Sequence, residues 1–299
     1  MSSSLLIALV SLLLPCLLSL LLLHLSTVLD PDPDAAAPRV KKAPPLPLRF
    51  RHDGTFKILQ VADMHFGNGA ATRCRDVGPD GGGALCSDLN TTRFLRRLIE
   101  AEKPDLIAFT GDNIFGTSAT DAAESLLKAI SPAMEFKHLK FSFIGQKNLY
   151  APALAFFHIP IPEVRELWYT GFKGQYQEGV ACSTVNSGVL GTLVSMGDVK
   201  AVFLGHDHLN DFCGSLNGIW FCYGGGFGYH GYGRPHWPRR ARVIYSGLKK
   251  GQRSWSEVKS IRTWKVLDDE KLSKIDEQVL WRCSTDDSHR NAFYPRQGV

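Results

Sequence analysis

The stretch VFLGHDHLNDF, residues 202 to 212, places two imidazoles, His206 and His208, on either side of Asp207, directly after an apolar run and a glycine. Val202, Phe203 and Leu204 read as a buried strand, and Gly205 marks where it ends. In an extended chain His206 and His208 point to the same side. That makes half of a metal site, although two hydrogen-bonded loop histidines would look the same in isolation. Three other apolar runs end in comparable groups: ADMH supplies Asp63 and His65, TGDN supplies Asp112, and FFHIP supplies His158. In open α/β folds ligands bind outside the carboxyl ends of the strands, so all six side chains can converge there. Mixed imidazole and carboxylate donors suit Zn, Fe or Mn and not calcium. Two such ions bridged by a carboxylate can clamp a phosphate and activate a water for in-line attack.

The elements that must carry these groups alternate. FKILQVADMH (56–65), DLIAFTGDN (105–113), PALAFFHIP (152–160) and VKAVFLGHDH (199–208) read as strands. NTTRFLRRLIEAEKP (90–104) reads as a helix with Phe94, Leu95, Leu98 and Ile99 on one face, and SATDAAESLLKAISPAM (118–134) as a second with a start signal at Asp121. STVNSGVLGTLVSM (183–196) is a third helical candidate. Strands then follow one another, in GIWFCYGGG (218–226), ARVIYS (241–246) and VKSIRTWKVL (258–267), before DDEKLSKIDEQVLW (268–281), which fits a closing helix. Strand alternating with helix, then consecutive strands, predicts an α/β layered sandwich with a mixed sheet. GFGYHG (226–231) matches a dinucleotide-binding spacing, but YGRPHWPRR after it cannot open the helix such a site needs. Ordinary glycine turns account for it, with Tyr229 and His230 as the residues such a loop could bring toward a substrate.

The whole chain sets the context. Its formal net charge of +5 over 299 residues is mild and spread along the sequence, which suits an anionic small substrate and gives no case for nucleic acid. Residues 5–25 are almost uninterrupted leucine-rich sequence, so residues 1–26 read as a secretory signal. A retained signal-anchor is the alternative, because the run is long enough to span a bilayer and MSSS lacks the usual positive charge. Residues 27–49 read as a Pro/Ala-rich linker, 50–283 as the folded domain and 284–299 as a disordered tail. The expected location is the secretory pathway, secreted, extracellular or vacuolar, with a single-pass membrane protein as the alternative. Seven cysteines fit that compartment. Cys74 and Cys86, flanking a glycine-rich loop, are the favoured local pair, and no wider framework is assigned. Asn90 heads the glycosylation sequon NTT.

The order D-x-H, G-D, H, G-H-x-H resembles the calcineurin-like metallophosphoesterases. ILQVADMHFG, FTGDNIFG, FFHIPIPE and GHDHLNDFCG resemble their short plant purple-acid-phosphatase-like branch, over about residues 50 to 283. The resemblance implies a layered αββα sandwich with mixed sheets. It implies that Asp63, His65 and His208 hold one metal, that Asp112 bridges, and that His158 and His206 hold a second metal, with Fe, Zn or Mn as the ions. It also implies hydrolysis of a phosphomonoester, either a small phosphate ester or a phosphoprotein.

Two features depart from that pattern. The family's G-N-H-[DE] motif is missing; its Asn is a second-metal ligand and its His protonates the leaving group. The nearest stretch, FSFIGQKN (141–148), offers Gln146 in place of the Asn and Lys147 in place of the His, with coincidence as the alternative. Only twelve residues separate Gly145 from His158, so the middle of the domain reads as internally shortened. In addition, GDNIF sets Phe115 where the purple enzymes carry a metal-bound tyrosine. The expectation is therefore a metal-dependent phosphomonoesterase, weak or impaired, with no catalytic proton donor identified. The alternative is a non-catalytic pseudophosphatase that retains the fold and one metal.

Overall fold

Thr55–Val61 (TFKILQV) forms strand β1, with Leu59 and Val61 on one face and Ile58 on the other. Both faces are buried, as the near-continuous apolar run requires. The computed structural model describes residues 48–78, 85–136, 152–252 and 254–283. The apolar segment 5–25, the linker up to residue 47, the tail and Gln146 with Lys147 lie outside the described residues. Among those described, no helix is long and apolar enough to cross a membrane.

Helix α1 (Leu89–Glu102) follows β1 and buries Phe94, Leu95, Leu98 and Ile99, the expected i, i+3, i+4 stripe. Lys103, in the left-handed region at φ 47°, ends it by donating its amide to the Ile99 carbonyl. Strand β2 (Leu106–Phe109) then pairs parallel to β1. Helix α2 (Ala122–Glu135) starts where Asp121 accepts the Glu124 amide at 3.0 Å. Strand β3 (Ala153–Phe156) is followed by a 3₁₀ turn (Pro162–Glu166), the four-residue α3 (Leu167–Thr170) and α4 (Val189–Met196). Strands β4 (Val199–Leu204), β5 (Cys213–Leu216), β6 (Ile219–Tyr223), β7 (Arg240–Lys250), β8 (Trp255–Leu267) and β9 (Lys274–Arg282) complete the order.

Two mixed sheets result. One runs β2-β1-β7-β8-β9 and the other β3-β4-β6-β5. The cores show how they stack. Leu59, Val61, Ile107, Val243 and Trp264 pack with Phe94, Leu95, Leu98 and Ala129 of the helices. Ile58, Ile244 and Ile261 of the first sheet meet Ala201, Phe203 and Cys222 of the second. The other face of the second sheet, with Val202, Leu204 and Phe221, packs on Val164, Leu167 and Leu190. The layers are therefore helix, sheet, sheet, helix, the αββα order expected from the sequence. Each fully buried Leu or Phe in these layers contributes roughly 1.5–3 kcal/mol.

Three segments differ from the sequence-based expectation. Residues 268–281 do not form a closing helix. Asp269 accepts the Lys271 and Ser273 amides, Leu272 turns left-handed at φ 50°, and the chain leaves as strand β9 along β8. A row of open β8 backbone groups and burial of Leu280 outweigh a helical charge pattern with little apolar face. The third helix occupies only Val189–Met196, because Gly188 at φ 72° and the Ser183 and Asn186 side-chain turns hold the residues before it. The short β5, absent from the expected elements, pairs with β6 through Asn217–Gly218, both left-handed as a tight hairpin needs. Cys74–Cys86 is disulfide-bonded as the sequence favoured, and Cys213–Cys222 joins β5 to β6.

One polar cluster sits inside the sandwich. Arg240 donates to Asp211 at 2.6 Å, and Lys265 reaches Asp211 at 2.5 Å and Asp276 at 2.6 Å. Arg242 donates to the Tyr223 and Asp211 carbonyls at 2.8 Å each. These bonds fasten the loop after β4, which bears His206 and His208, to β7 and β8. Asp211→Ala should leave Arg240 without its carboxylate and Lys265 with Asp276 alone, and cost about 3–5 kcal/mol, measured by denaturant unfolding. A loss below about 1 kcal/mol would mean that the cluster does not anchor this loop.

Candidate metal centre

All six donors predicted from the sequence stand at strand carboxyl ends. Asp63 and His65 follow β1, Asp112 follows β2, His158 follows β3, and His206 and His208 follow β4. The first sheet supplies three and the second sheet the other three, so the centre lies across the seam between them. The His206 amide donates to both Asp63 oxygens, at 3.0 and 3.1 Å, and joins the two sheets at that point. Two groups of donor atoms, Asp63–His65–His208 and Asp112–His158–His206, each lie within 4.8 Å of one another. The Asp112 Oδ2 is 3.4 Å from both His65 Nε2 and His158 Nε2, placing this carboxylate between the groups. Asp63 is 1% exposed whereas Asp112 is 45% exposed, so the centre opens to solvent on the Asp112 side.

The backbone is strained where these groups leave it. Asp63, His65, Asp112 and His206 have φ of 58°, 46°, 45° and 80°. Non-glycine residues seldom adopt this region, and each costs about 1–3 kcal/mol unless the surroundings hold it. Close backbone approach also needs glycine. A Cβ on Gly205 would stand 2.9 Å from both Asp63 Oδ2 and His158 Nδ1, and one on Gly231 would stand 2.8 Å from His208 Cε1.

The hydrogen bonds fix which nitrogens are free. His158 Nδ1 donates to the Thr110 carbonyl at 3.0 Å and His208 Nδ1 to the Tyr232 carbonyl at 2.8 Å. In the neutral ring each Nε2 is then the nitrogen with the lone pair. His158 Nε2 is buried without a hydrogen-bond partner and faces Asp112 Oδ2 at 3.4 Å and Asp63 Oδ1 at 3.8 Å. His208 Nε2 faces Asp63 Oδ1 at 3.4 Å and His65 Nε2 at 3.0 Å. Burial, with His208 adding to it, pushes the His65 pKa down to about 4 against the pull of Asp63 and Asp112. Protonation at neutral pH does not relieve these contacts at His65. Lone pairs and carboxylate oxygens aimed at shared points are what a bound cation neutralises, so the donor set fits divalent metal.

The neighbours sort themselves by the same geometry. Asp207 points away from the donors, into the protein, and accepts the Tyr223 hydroxyl at 2.6 Å. Phe115 lies edge-on between His65 and His230, with ring centroids 5.4 and 5.3 Å away, and offers carbon where a phenolate ligand would be needed. The 226–231 segment is a loop laid across the end of β1, with the Phe227 and Gly228 amides donating to the Ala62 and Asp63 carbonyls. Tyr229 is turned inward, its hydroxyl donating to Asp268 at 2.6 Å. His230 is held between the Arg73 carbonyl and Ser118 Oγ, at 2.7 and 3.0 Å. Asn90 is the second residue of α1 and half-buried. Sequence reasoning missed Thr110, Tyr232 and Glu178, which hold the candidate donors or their loop; only the glycine-rich context of Tyr232 marked its vicinity. Gly205→Ala should weaken metal retention after dialysis, measured by elemental analysis, and destabilise the fold by about 1–3 kcal/mol through overpacking. Unchanged retention would mean that the approach of the two strand ends is not needed for binding.

No family model matches the chain. The chain is 50% identical to Probable inactive purple acid phosphatase 28 of Arabidopsis thaliana, over 82% of its own length and 89% of the relative's. It is 39% identical to Probable inactive purple acid phosphatase 29 of the same plant, over 79% and 88%. Phosphatase DCR2 of Saccharomyces cerevisiae is 27% identical, over 60% of this chain and 49% of that one. The first alignment spans 353 positions, about a hundred more than 82% of a 299-residue chain can fill. A solved predicted phosphoesterase of Streptococcus pneumoniae covers 75% of this chain and 98% of its own at 10% identity and a TM-score of 0.35, which adds nothing to the comparison. With half of its aligned residues shared along nearly the whole of a relative of that name, the chain belongs to the purple acid phosphatase family.

Proposed function

We propose that the chain is a metal-dependent phosphomonoesterase of low catalytic power that acts on small phosphate esters. The observation that carries this is the pair of donor groups in which the His158 and His208 Nε2 atoms face Asp112 and Asp63. Asp63, His65, Asp112 and His208 would hold one ion, and Asp112, His158 and His206 a second with fewer ligands. When bound, such ions supply Lewis-acid charge to a phosphoryl oxygen and lower the pKa of water. Fe, Zn and Mn all suit these donors. The protein's own share is to orient the donors and to leave the Asp112 side open to an anionic substrate.

The low power follows from what the sequence lacks. No G-N-H segment is present to complete the second donor group or to protonate a leaving oxygen. The excess of aligned positions over residues in this chain supports an internally shortened chain. The printed names of both Arabidopsis relatives favour a second reading, a pseudophosphatase that keeps the fold and one metal. Passage through the secretory pathway belongs to the same proposal. Its supports are the leucine-rich residues 5–25 as leader or membrane tether, the Asn90 sequon and two disulfides, which persist in oxidising compartments.

Three measurements separate the readings. Elemental analysis after dialysis should find about one tightly held divalent metal per chain, because among the described residues only one group has four candidate ligands; two would show that another residue completes the second group. With Phe115 at the tyrosine position, iron-loaded protein should show no visible charge-transfer band, and a purple or pink protein would refute that assignment. Lacking a general acid, the chain should turn over an aryl phosphate about 10²- to 10⁴-fold below what such groups allow. Asp112→Asn should abolish the remainder, since that carboxylate serves both groups. A residual rate indifferent to Asp112→Asn would defeat the metal assignment, and no rate at all with one metal bound would establish the pseudophosphatase.

A further inference from the structure

Among the described residues, Tyr232 alone makes three contacts with His208. The Tyr232 carbonyl accepts His208 Nδ1 at 2.8 Å. The phenol ring of the same residue lies flat on the imidazole, with centroids 3.9 Å apart and planes 7° from parallel. Its hydroxyl turns back on the loop, accepting the His208 amide at 3.2 Å and donating to the Glu178 carboxylate at 3.0 Å. Glu178 also accepts the Leu209 amide at 2.6 Å, so it grips the loop and the phenol together. From the other side the buried Arg239 donates to the Gly231 and Tyr232 carbonyls at 2.9 Å each, and to the Arg75 carbonyl at 2.8 Å.

A metal lies in the plane of the imidazole that binds it, along the Nε2 lone pair. The ring plane and the tautomer together decide where that lone pair points. At His208 both are set by Tyr232, the plane by stacking and the tautomer by its carbonyl. Groups that orient a ligand in this way typically govern metal affinity by about 10–100-fold. A residue that only filled space would need neither the shared hydroxyl nor an arginine spent on its carbonyl.

We propose that Tyr232 is the positioning residue of the first metal site, fixing the His208 imidazole for coordination, while Glu178 and Arg239 hold Tyr232 in place. The inference rests on reading the six donors as a metal centre. Its test uses the purified full chain stripped of metal and titrated with Zn²⁺ against a chromophoric chelator. The Co²⁺ absorption spectrum serves as a second readout. Tyr232→Ala, which keeps the backbone carbonyl but removes ring and hydroxyl, should weaken Zn²⁺ binding by about 10–100-fold and alter the Co²⁺ bands. Tyr232→Phe, which keeps the stacked ring, should restore most of the affinity.

Val164→Ala, a core truncation in the outer layer, controls for stability, compared through the melting temperatures of the metal-free proteins. Wild-type affinity in Tyr232→Ala would overturn the proposal, as would a loss no greater than that of Val164→Ala at equal loss of stability. In either case a Zn²⁺-binding wild type would leave the metal centre itself standing. A wild-type chain that binds no Zn²⁺ would remove the centre and this role together.

Discussion

Two carboxylates and four imidazoles are crowded at one seam, and the fold around them is organised to keep them there. Their lone pairs point inward because the outward nitrogens of His158 and His208 are tied to the Thr110 and Tyr232 carbonyls. Those carbonyls are fixed in turn. Beneath the seam the buried Gln60 donates to the Leu204 carbonyl at 2.9 Å and to Thr110 Oγ1 at 3.3 Å, linking the ends of β1, β2 and β4. The left-handed turns at Asp63, His65, Asp112 and His206 persist because strands on both sides are locked in register by buried side chains. Hydrophobic layering thus supplies the free energy, and the polar contacts decide where it is applied.

The loop after β4 shows how position alone separates two similar residues. Burial raises the Asp207 pKa above the usual carboxylate range. Asp211 lies deeper, and burial alone would raise it further, yet Lys265 and Arg240 overcome that effect and hold it below the ordinary value. Asp207 can therefore be satisfied by a neutral hydroxyl, from Tyr223, while Asp211 requires cations from two strands. The second arrangement is costly to build but hard to displace, because breaking one member strands the others. It is the natural anchor for a loop that must present two imidazoles in a fixed direction.

The legible parts of this molecule were those where local chemistry and local geometry coincide. An apolar run followed by Gly-His-Asp-His marks a strand end and its donors in one stretch, and the same holds for ADMH, TGDN and FFHIP. The αββα order followed from alternation and from the resemblance these motifs carry. Strand β9 was not legible, because its charged residues suit a helix and only the open edge of β8 selects the strand. The supports of His208 were not legible either. Tyr232 and Glu178 lie 24 and about 30 residues from it, and no period or motif relates them. Such contacts exist only once the sheets have closed, so a linear reading has nothing to find.

On the proposed reading, metal binding and turnover would depend on different parts of this fold. Every donor comes from the ends of β1, β2, β3 and β4, and each of those strands is paired and buried by the two-sheet core. Removing sequence between α2 and β3 need not disturb them, because their pairing runs β1 to β2 and β3 to β4. The G-N-H segment that the family resemblance would place between β2 and β3 lies outside these four strand ends. Shortening the chain there would remove the acid before it removed the metal. On the proposed reading, strengthening the core would hold the same six donors more firmly without adding a proton donor.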